Sequence, residues 1–278
     1  MLPTVKFCGY DVTRLTIGNN PFAGVTYIDD MVSSDDMMNY YTADKMEEAL
    51  FEAESAGFNT YQALACPFVL RVLRQYRNNG GKMQIIFQTH RAIELKENLR
   101  MVLPFEPIAV YQQGGVTDAL MECGDMETMK ANLKIIRDTG VKVGISTHIP
   151  ETIYRAEEQG WDLDFFMTCL HNARKPYREN ETSYYNGDPK RIHFYPDDRA
   201  LMFNAIRSTS KHCIAFKILA GGQIFYGKTP EQYPDAVEAA FRETYANIKP
   251  NDIATIGVFQ KNKNQIRENA ELLKKVLG

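Results

Sequence analysis

The chain has 278 residues and a formal net charge of −3 at pH 7. A slightly negative net charge does not favour binding to nucleic acid or to an anionic membrane. No apolar run reaches the roughly 20 residues that span a bilayer. The first 14 residues lack the apolar stretch of a signal peptide, so we expect a cytoplasmic protein with a small-molecule substrate. Five cysteines without a CxxC pair are typical of reduced thiols.

Short apolar runs alternate with amphipathic stretches along the whole sequence. The strand candidates are 14–18, 57–63, 83–90, 108–113, 142–147, 163–170, 213–220 and 253–259. Helical stretches between them include 43–56, 126–140 and 234–248. Eight βα units predict a TIM (β/α)8 barrel that forms one domain over residues 1–278. A doubly wound open sheet is the alternative, but no GxGxxG motif follows the first strand and no P-loop occurs.

Two predicted connections, 19–42 and 171–197, are longer than usual. Both follow the carboxyl end of a strand, which is the end of a TIM barrel that carries the active site. The second connection is polar and rich in tyrosine. It fits a lid or a sugar-binding loop, or else a surface excursion without a role.

Five segments resemble the aldo-keto reductase superfamily in consecutive order. They are "KFCGYDVTRLTIGNNPFAG", "AGFNTYQA", "VGISTHIPETIYRAEEQGWDLDFFMTCLHN", "FKILAGGQ" and "IGVFQKNKNQIRENAEL". The resemblance covers nearly the whole chain. It implies a (β/α)8 barrel preceded by a short β-hairpin, in agreement with the strand pattern.

The catalytic residues that the resemblance implies are replaced here. Aldo-keto reductases use an Asp, a Tyr, a Lys and a His at successive strand ends. In this sequence Gln62 stands at the Asp position, His90 at the Lys position and Gln113 at the His position, while the Tyr has no clear counterpart in "ACPFVLRVL". We therefore expect that this tetrad is lost and that the protein does not perform standard NADPH-dependent carbonyl reduction.

The family's NADP-binding pattern is only partly matched. Glu268 and Asn269 resemble the Glu-Asn pair that holds the adenosine phosphate, and Lys261 supplies a nearby cation. The alternative is that these charges form a solvated helix face. Gly221 and Gly222 follow strand seven, where many barrels bind phosphate, so they are candidates for an anion site.

Three of the five histidines fall at predicted strand ends: His90, His148 and His171. If the three imidazoles converge at the carboxyl end of the barrel, they could bind a divalent metal such as zinc and leave one coordination position of the metal open for water. They could also act as acids or bases without a metal. The third interpretation is that they are hydrogen-bonded structural residues, and in that case His148 marks only the turn from strand to helix.

Lys217 lies in an apolar strand pattern, where it must reach the mouth or pair with an acid. Desolvation could lower its pKa enough for base or Schiff-base chemistry. Amide side chains at the mouth suit the hydroxyls of a sugar or polyol, unless they only cap turns. The candidate amides are Asn20, Gln62, Gln113 and Asn172.

Three functions remain open at this point. The first is an enzyme of altered chemistry, a lyase, isomerase or hydrolase of a small sugar-like substrate, with His90, His148 and Lys217 as catalytic residues. The second is a divergent NADP-dependent oxidoreductase. The third is a binding or regulatory barrel without catalysis.

Overall fold

Eight parallel strands close into a barrel around the centre of the molecule. The computed structural model describes every residue from Met1 to Gly278. The barrel strands are β3 (Leu15–Gly18), β4 (Thr60–Leu64), β5 (Gln84–Gln88), β6 (Ala109–Gln112), β7 (Lys142–Thr147), β8 (Phe165–Cys169), β9 (His212–Phe216) and β10 (Ile253–Ile256). They pair in chain order, and β10 closes the ring against β3. The predicted barrel is therefore confirmed.

An antiparallel hairpin precedes the barrel, as the sequence predicted. It consists of β1 (Thr4–Phe7) and β2 (Tyr10–Thr13). The hairpin turn has positive φ at both Cys8 and Gly9, which suits a two-residue turn between twisted strands. Phe7 and Val12 of the hairpin pack with interior barrel residues, so the hairpin plugs the amino-terminal end of the barrel.

Ten α-helices surround the strands. They are α1 (Ser34–Tyr40), α2 (Ala43–Ser55), α3 (Pro67–Asn78), α4 (Leu95–Val102), α5 (Gly114–Cys123), α6 (Met126–Arg137), α7 (Pro150–Glu158), α8 (Asp198–Ser208), α9 (Tyr233–Asn247) and α10 (Gln265–Leu277). The three helical stretches named from the sequence all form helices, with ends within three residues of the predicted ones. No helix combines the length and the apolar character needed to cross a membrane.

Alternate strand residues serve two separate cores. On β8, Phe165 and Met167 belong to the cluster inside the barrel, whereas Phe166 belongs to the larger cluster between strands and helices. This alternation follows from the period of two in a strand. The last inward-facing residue of each strand therefore lies at the carboxyl end of the barrel interior.

Strand β9 ends earlier than the predicted 213–220. Lys217 and Ala220 adopt left-handed backbone angles, with φ of 57° and 49°. A β-strand needs negative φ, so the extended backbone stops at Phe216. Residues other than glycine are strained at positive φ. Residues strained in this way are found most often at functional sites.

The two long connections lie at the carboxyl end, as predicted. The first contains α1 and a 3₁₀ turn at Asn20–Ala23, while 171–197 contains no helix or strand. Arg178 anchors the second connection through Asp198, whose side chain is buried. Arg191 ties it to Asp30 in the first connection, with a nitrogen–oxygen distance of 2.9 Å.

Candidate functional site

His148 and Asp118 form a buried pair at the carboxyl end of the barrel. His148 follows β7, and its Nδ1 atom lies 2.6 Å from Oδ2 of Asp118 on helix α5. The other carboxylate oxygen accepts hydrogen bonds from the Thr147 hydroxyl at 2.7 Å and from the His148 backbone N–H at 3.1 Å. The Asp118 side chain is completely buried. This geometry assigns the proton to Nδ1 and leaves Nε2 of a neutral ring as an acceptor.

The free Nε2 atom of His148 faces Lys217, whose Nζ atom is 3.4 Å away. Burial and the Lys217 cation hold the pKa of His148 below its usual value, although Asp118 acts in the opposite direction. His148 is therefore neutral near pH 7. The arrangement is a chain of carboxylate, imidazole and ammonium that runs from helix α5 across the end of β7 to the end of β9.

Lys217 keeps its proton in this environment. Burial alone would lower the pKa of its ammonium, but Cys169 and Tyr27 offset that effect, so the pKa lies above its usual value. The Nζ atom sits 4.5 Å from the ring centroid of Tyr27 and 4.9 Å from that of Phe194, within cation–π range. The direction of this shift is opposite to the one that desolvation alone would produce. A charged ammonium cannot attack a carbonyl to form a Schiff base.

Two loops supply the aromatic roof over Lys217. Tyr27 belongs to the first long connection and Phe194 to the second, and their ring centroids are 5.2 Å apart. The fully buried Gln223 side chain joins the loops. It donates to the carbonyl oxygens of Tyr27 and Ile192 at 3.2 and 2.7 Å and accepts from the Phe194 N–H at 3.0 Å. Segment 171–197 therefore contributes Phe194 to the surroundings of Lys217.

The interior of the barrel becomes polar towards this end. Gln62 on β4 is 3% exposed, and its Nε2 atom lies 3.4 Å from the Thr16 hydroxyl. Its Oε1 atom is buried without a hydrogen-bond partner. On the neighbouring strands, the Tyr111 hydroxyl lies 3.4 Å from Oε1 of Gln88. Buried acceptors of this kind are normally satisfied by water or a ligand group.

The three predicted strand-end histidines do not form one ligand set. His171 is fully buried between Tyr184 and Phe194. His90 lies in a turn, where its Nδ1 accepts the N–H of Ala92 at 3.2 Å. Because no group of three or more His, Cys, Asp or Glu side chains is placed to hold a metal ion, the residues do not fit the expected zinc-like site. The Lys217 ammonium at Nε2 of His148 would also repel a cation there.

Most of the predicted amide lining has local structural contacts. Gln113 caps helix α5, with its Oε1 accepting the Val116 N–H at 3.0 Å. Asn172 accepts the N–H of Arg174 at 3.1 Å, and Asn20 is exposed at the start of a 3₁₀ turn. The turn-capping alternative describes Gln113 and Asn172. Gln62 alone of the four presents an unpaired buried oxygen.

The groups expected to bind a dinucleotide phosphate are paired within the chain. Lys261 contacts Asp36 at 3.1 Å, and Glu268 contacts Lys263 at 2.6 Å. Asn269 is buried on α10. The solvated-face alternative thus describes Lys261 and Glu268 in this structure.

The glycine pair is also packed rather than open. A Cβ atom on Gly221 would lie 2.6 Å from the Tyr27 ring, and one on Gly222 would lie 2.7 Å from Ile28. The Gly222 N–H donates to the Leu219 carbonyl at 2.8 Å. These glycines let the turn approach the roof loop closely. The Gly222 N–H is therefore not free to bind an anion.

Sequence reasoning missed Asp118 and Gln223. Asp118 lies in a helix, and the strand-end rule that selected the histidines does not reach helix residues. The signal was a carboxylate in the apolar context "GGVTDALM", where a buried acid needs a partner. Gln223 was quoted within "AGGQ", but its role depends on loop positions that no local pattern encodes.

Known structures share the architecture of this chain. An aldo/keto reductase from Brucella melitensis has a TM-score of 0.56 and 14% identity over 98% of this chain and 100% of that chain. The apo form of Gox0644 has a TM-score of 0.59 and 11% identity, with coverages of 99% and 94%. A dihydropteroate synthase from Xanthomonas albilineans, in complex with 7,8-dihydropteroate, has a TM-score of 0.54 and 13% identity, with coverages of 98% and 97%.

These similarities establish a shared barrel fold. No protein-family model matches the sequence, and no curated protein matches it either. The neighbours include both a reductase and a synthase, and one barrel fold hosts many chemistries. The fold alone therefore does not indicate the reaction, and the residues at the carboxyl end of the barrel must do so.

Proposed function

We propose that the protein is an isomerase or lyase that moves a proton next to the carbonyl group of a small hydroxylated substrate. The observation that carries the proposal is the Asp118–His148–Lys217 chain, with separations of 2.6 and 3.4 Å at the carboxyl end of a TIM barrel. Active sites of this fold lie at that end. A base and a cation side by side suit the formation of an enolate.

His148 is the base in this proposal. Asp118 holds the Nδ1 proton, so Nε2 beside Lys217 keeps the lone pair that accepts the substrate proton. In the first step a C–H bond next to the carbonyl breaks. The proton goes to Nε2, and the electron pair forms a C=C bond while the carbonyl becomes an enolate oxygen. Asp118 stabilises the imidazolium that results.

Lys217 is the electrostatic partner. Its ammonium stabilises the negative oxygen of the enolate, and it keeps its charge because the pKa is raised. The hydroxyl proton on the deprotonated carbon then moves to the enolate oxygen, and return of the Nε2 proton to the former carbonyl carbon leaves a new carbonyl on the neighbouring carbon, which is the isomer. If the enolate arises from cleavage of a C–C bond instead, His148 takes the hydroxyl proton and the same pair performs a lyase reaction.

The polar interior supports a hydroxylated substrate. The unpaired Oε1 of Gln62 needs a donor, and a substrate hydroxyl supplies one. Gln62 bears no charge, so it cannot replace the carboxylate that the reductase tetrad needs at this position. This is the reason we place carbonyl reduction outside the proposal.

Proton exchange provides the experimental test. Ketoses and aldoses of three to six carbons are incubated with the protein in D₂O, and loss of the proton next to the carbonyl is followed by NMR. His148→Asn should slow exchange by about 10²- to 10⁴-fold, the usual contribution of a general base. His212→Asn is the matched control, because His212 lies at the opposite end of β9 beside Phe7.

The two alternative functions give different results. NADPH titration by fluorescence in the same preparation detects a reductase, and substrate-dependent NADPH oxidation that survives His148→Asn would replace this proposal. Sugar binding without exchange in any compound would identify a binding barrel instead.

A further inference from the structure

A buried histidine without a partner lies beside the proposed site. His171 has no exposed surface, and neither Nδ1 nor Nε2 has a hydrogen-bond partner. A neutral imidazole carries one N–H donor and one acceptor nitrogen, and burying both unpaired is unfavourable. Native proteins rarely leave such groups unsatisfied unless water or a ligand completes them.

Segment 171–197 also contains a histidine whose two ring nitrogens both have hydrogen-bond partners. His193 is also buried, at 7% exposure. Its Nδ1 lies 3.1 Å from the Ser183 hydroxyl and its Nε2 lies 3.0 Å from the Asp188 carbonyl. The chain therefore satisfies a structural histidine completely within this segment, and His171 differs from it.

His171 and Lys217, the catalytic lysine of the proposed reaction, pack against the same residue, Phe194. Its ring lies 5.1 Å from that of Phe194, which also packs 4.9 Å from Nζ of Lys217. The Tyr184 ring is 5.8 Å away on another side. The residue thus lies under the aromatic roof, at the end of β8.

The charges around His171 define what it can bind. Burial and the nearby Arg199 and Lys217 cations hold the pKa of His171 well below its usual value, so the ring stays neutral. Arg199 is not a partner, since its guanidinium contacts Glu243 at 2.8 Å and the Ile218 carbonyl at 3.0 Å. Each nitrogen of the neutral ring, one a donor and the other an acceptor, can pair with a hydroxyl group, because a hydroxyl both donates and accepts.

We infer that His171 binds a hydroxyl group of the substrate that takes no part in the proton transfer. The inference rests on the proposed function for the location of the substrate. It narrows the substrate class to compounds with at least one hydroxyl beyond the reacting carbons. A site that pairs with such a hydroxyl discriminates against the deoxy compound, because binding the latter leaves buried polar atoms unpaired.

The test uses ¹⁵N-histidine-labelled protein and pairs of ketoses of three to six carbons with their matching deoxy ketoses. The imidazole nitrogen signals of His171 should shift on addition of a ketose, whereas those of His193 in the same spectrum should not. His171→Phe should weaken ketose binding by about tenfold to a hundredfold, the usual range for one lost hydrogen-bonding group, and should leave deoxy ketose binding unchanged. His171→Gln keeps a donor and an acceptor and should restore part of the preference.

The outcomes separate this inference from the proposed function. If no ketose shifts the His171 signals, or if His171→Phe weakens both members of a pair equally, the inference is wrong even when proton exchange occurs. If hydroxyl-dependent binding is found without exchange, the proposed reaction fails and the hydroxyl site stands. Should His171→Phe not fold, the His171 signals and His171→Gln still decide the question.

Discussion

Oδ2 of Asp118 lies 2.6 Å from Nδ1 of His148, although the two residues belong to different βα units. Asp118 is on the inner face of α5, and His148 follows the next strand of the barrel, β7. The contact therefore depends on the packing of α5 against β7. It determines which ring nitrogen of His148 faces Lys217.

Replacement of the carboxylate should change the protonation of His148. Asp118 raises the pKa of His148 against burial and Lys217, so Asp118→Asn should lower that pKa further. The ring should also lose its fixed tautomer, as the asparagine amide can donate as well as accept. Imidazole NMR over a pH series measures both effects. Asp138→Asn on the surface of α6, which removes a pair with Lys134, is the control and should leave the titration unchanged.

Removal of the lysine charge should have the opposite effect. The Lys217 ammonium lowers the pKa of His148, so Lys217→Met should raise it. Methionine keeps most of the apolar contact with Tyr27 and Phe194. The same NMR titration measures the result, with Lys134→Met as the control for loss of a surface charge. An unchanged His148 pKa would mean that the two side chains do not interact in solution.

Stability should fall as the pH drops below about 6.5, the pKa of an unperturbed histidine. His148 and His171 both have lowered pKa values in the folded state. In the unfolded chain they bind protons below pH 6.5 while the folded protein resists protonation, so the unfolding free energy decreases towards the folded pKa values. Urea unfolding between pH 7.5 and 5 measures the slope.

A double substitution isolates this histidine contribution. His148→Asn with His171→Phe should flatten the pH dependence between 7.5 and 5, because neither new side chain titrates there. His212→Asn should leave it intact. A slope that persists in the double variant would assign the pH dependence to other groups.

The strand pattern predicted the barrel well for a physical reason. Buried parallel strands favour short apolar runs, and the segment 142–147, with Val143 and Ile145 at its centre, matches β7 residue for residue. The end of β9 was predicted four residues too late because "KILA" is as apolar as a strand. Only the backbone angles at Lys217 and Ala220 reveal the turn.

The candidate site was only partly visible in the sequence. His148 was selected because strand ends converge in this fold, and Lys217 because a lysine in an apolar strand pattern needs a partner. The structure brings the two within 3.4 Å. The metal hypothesis did not include the direction of each ring, and His90 turns to the backbone of Ala92. Asp118 and Gln223 act through contacts between distant segments, which depend on helix packing and loop position rather than on local pattern.

The last prediction concerns Gln223, whose side-chain amide joins the two loops that carry Tyr27 and Phe194. Gln223→Leu should leave the Tyr27 and Ile192 carbonyls and the Phe194 N–H without their side-chain partner. One unsatisfied buried group costs about 1–3 kcal/mol, so we expect a loss of about 3 kcal/mol in unfolding free energy. Amide hydrogen exchange at residues 192–194 should also accelerate, since these loops would open locally.

The exposed Gln159 provides the control for this substitution. Gln159→Leu removes one hydrogen bond to the Trp161 indole N–H outside the site, and it should change the unfolding free energy by less than about 1 kcal/mol. Gln223→Glu keeps the acceptor for Phe194 but turns a carboxylate oxygen towards the Tyr27 and Ile192 carbonyls at a buried position, so it should lower the protection of residues 192–194 at least as much as Gln223→Leu. If Gln223→Leu leaves exchange at 192–194 unchanged, the roof is held by the Arg191–Asp30 pair and the aromatic contacts rather than by this amide.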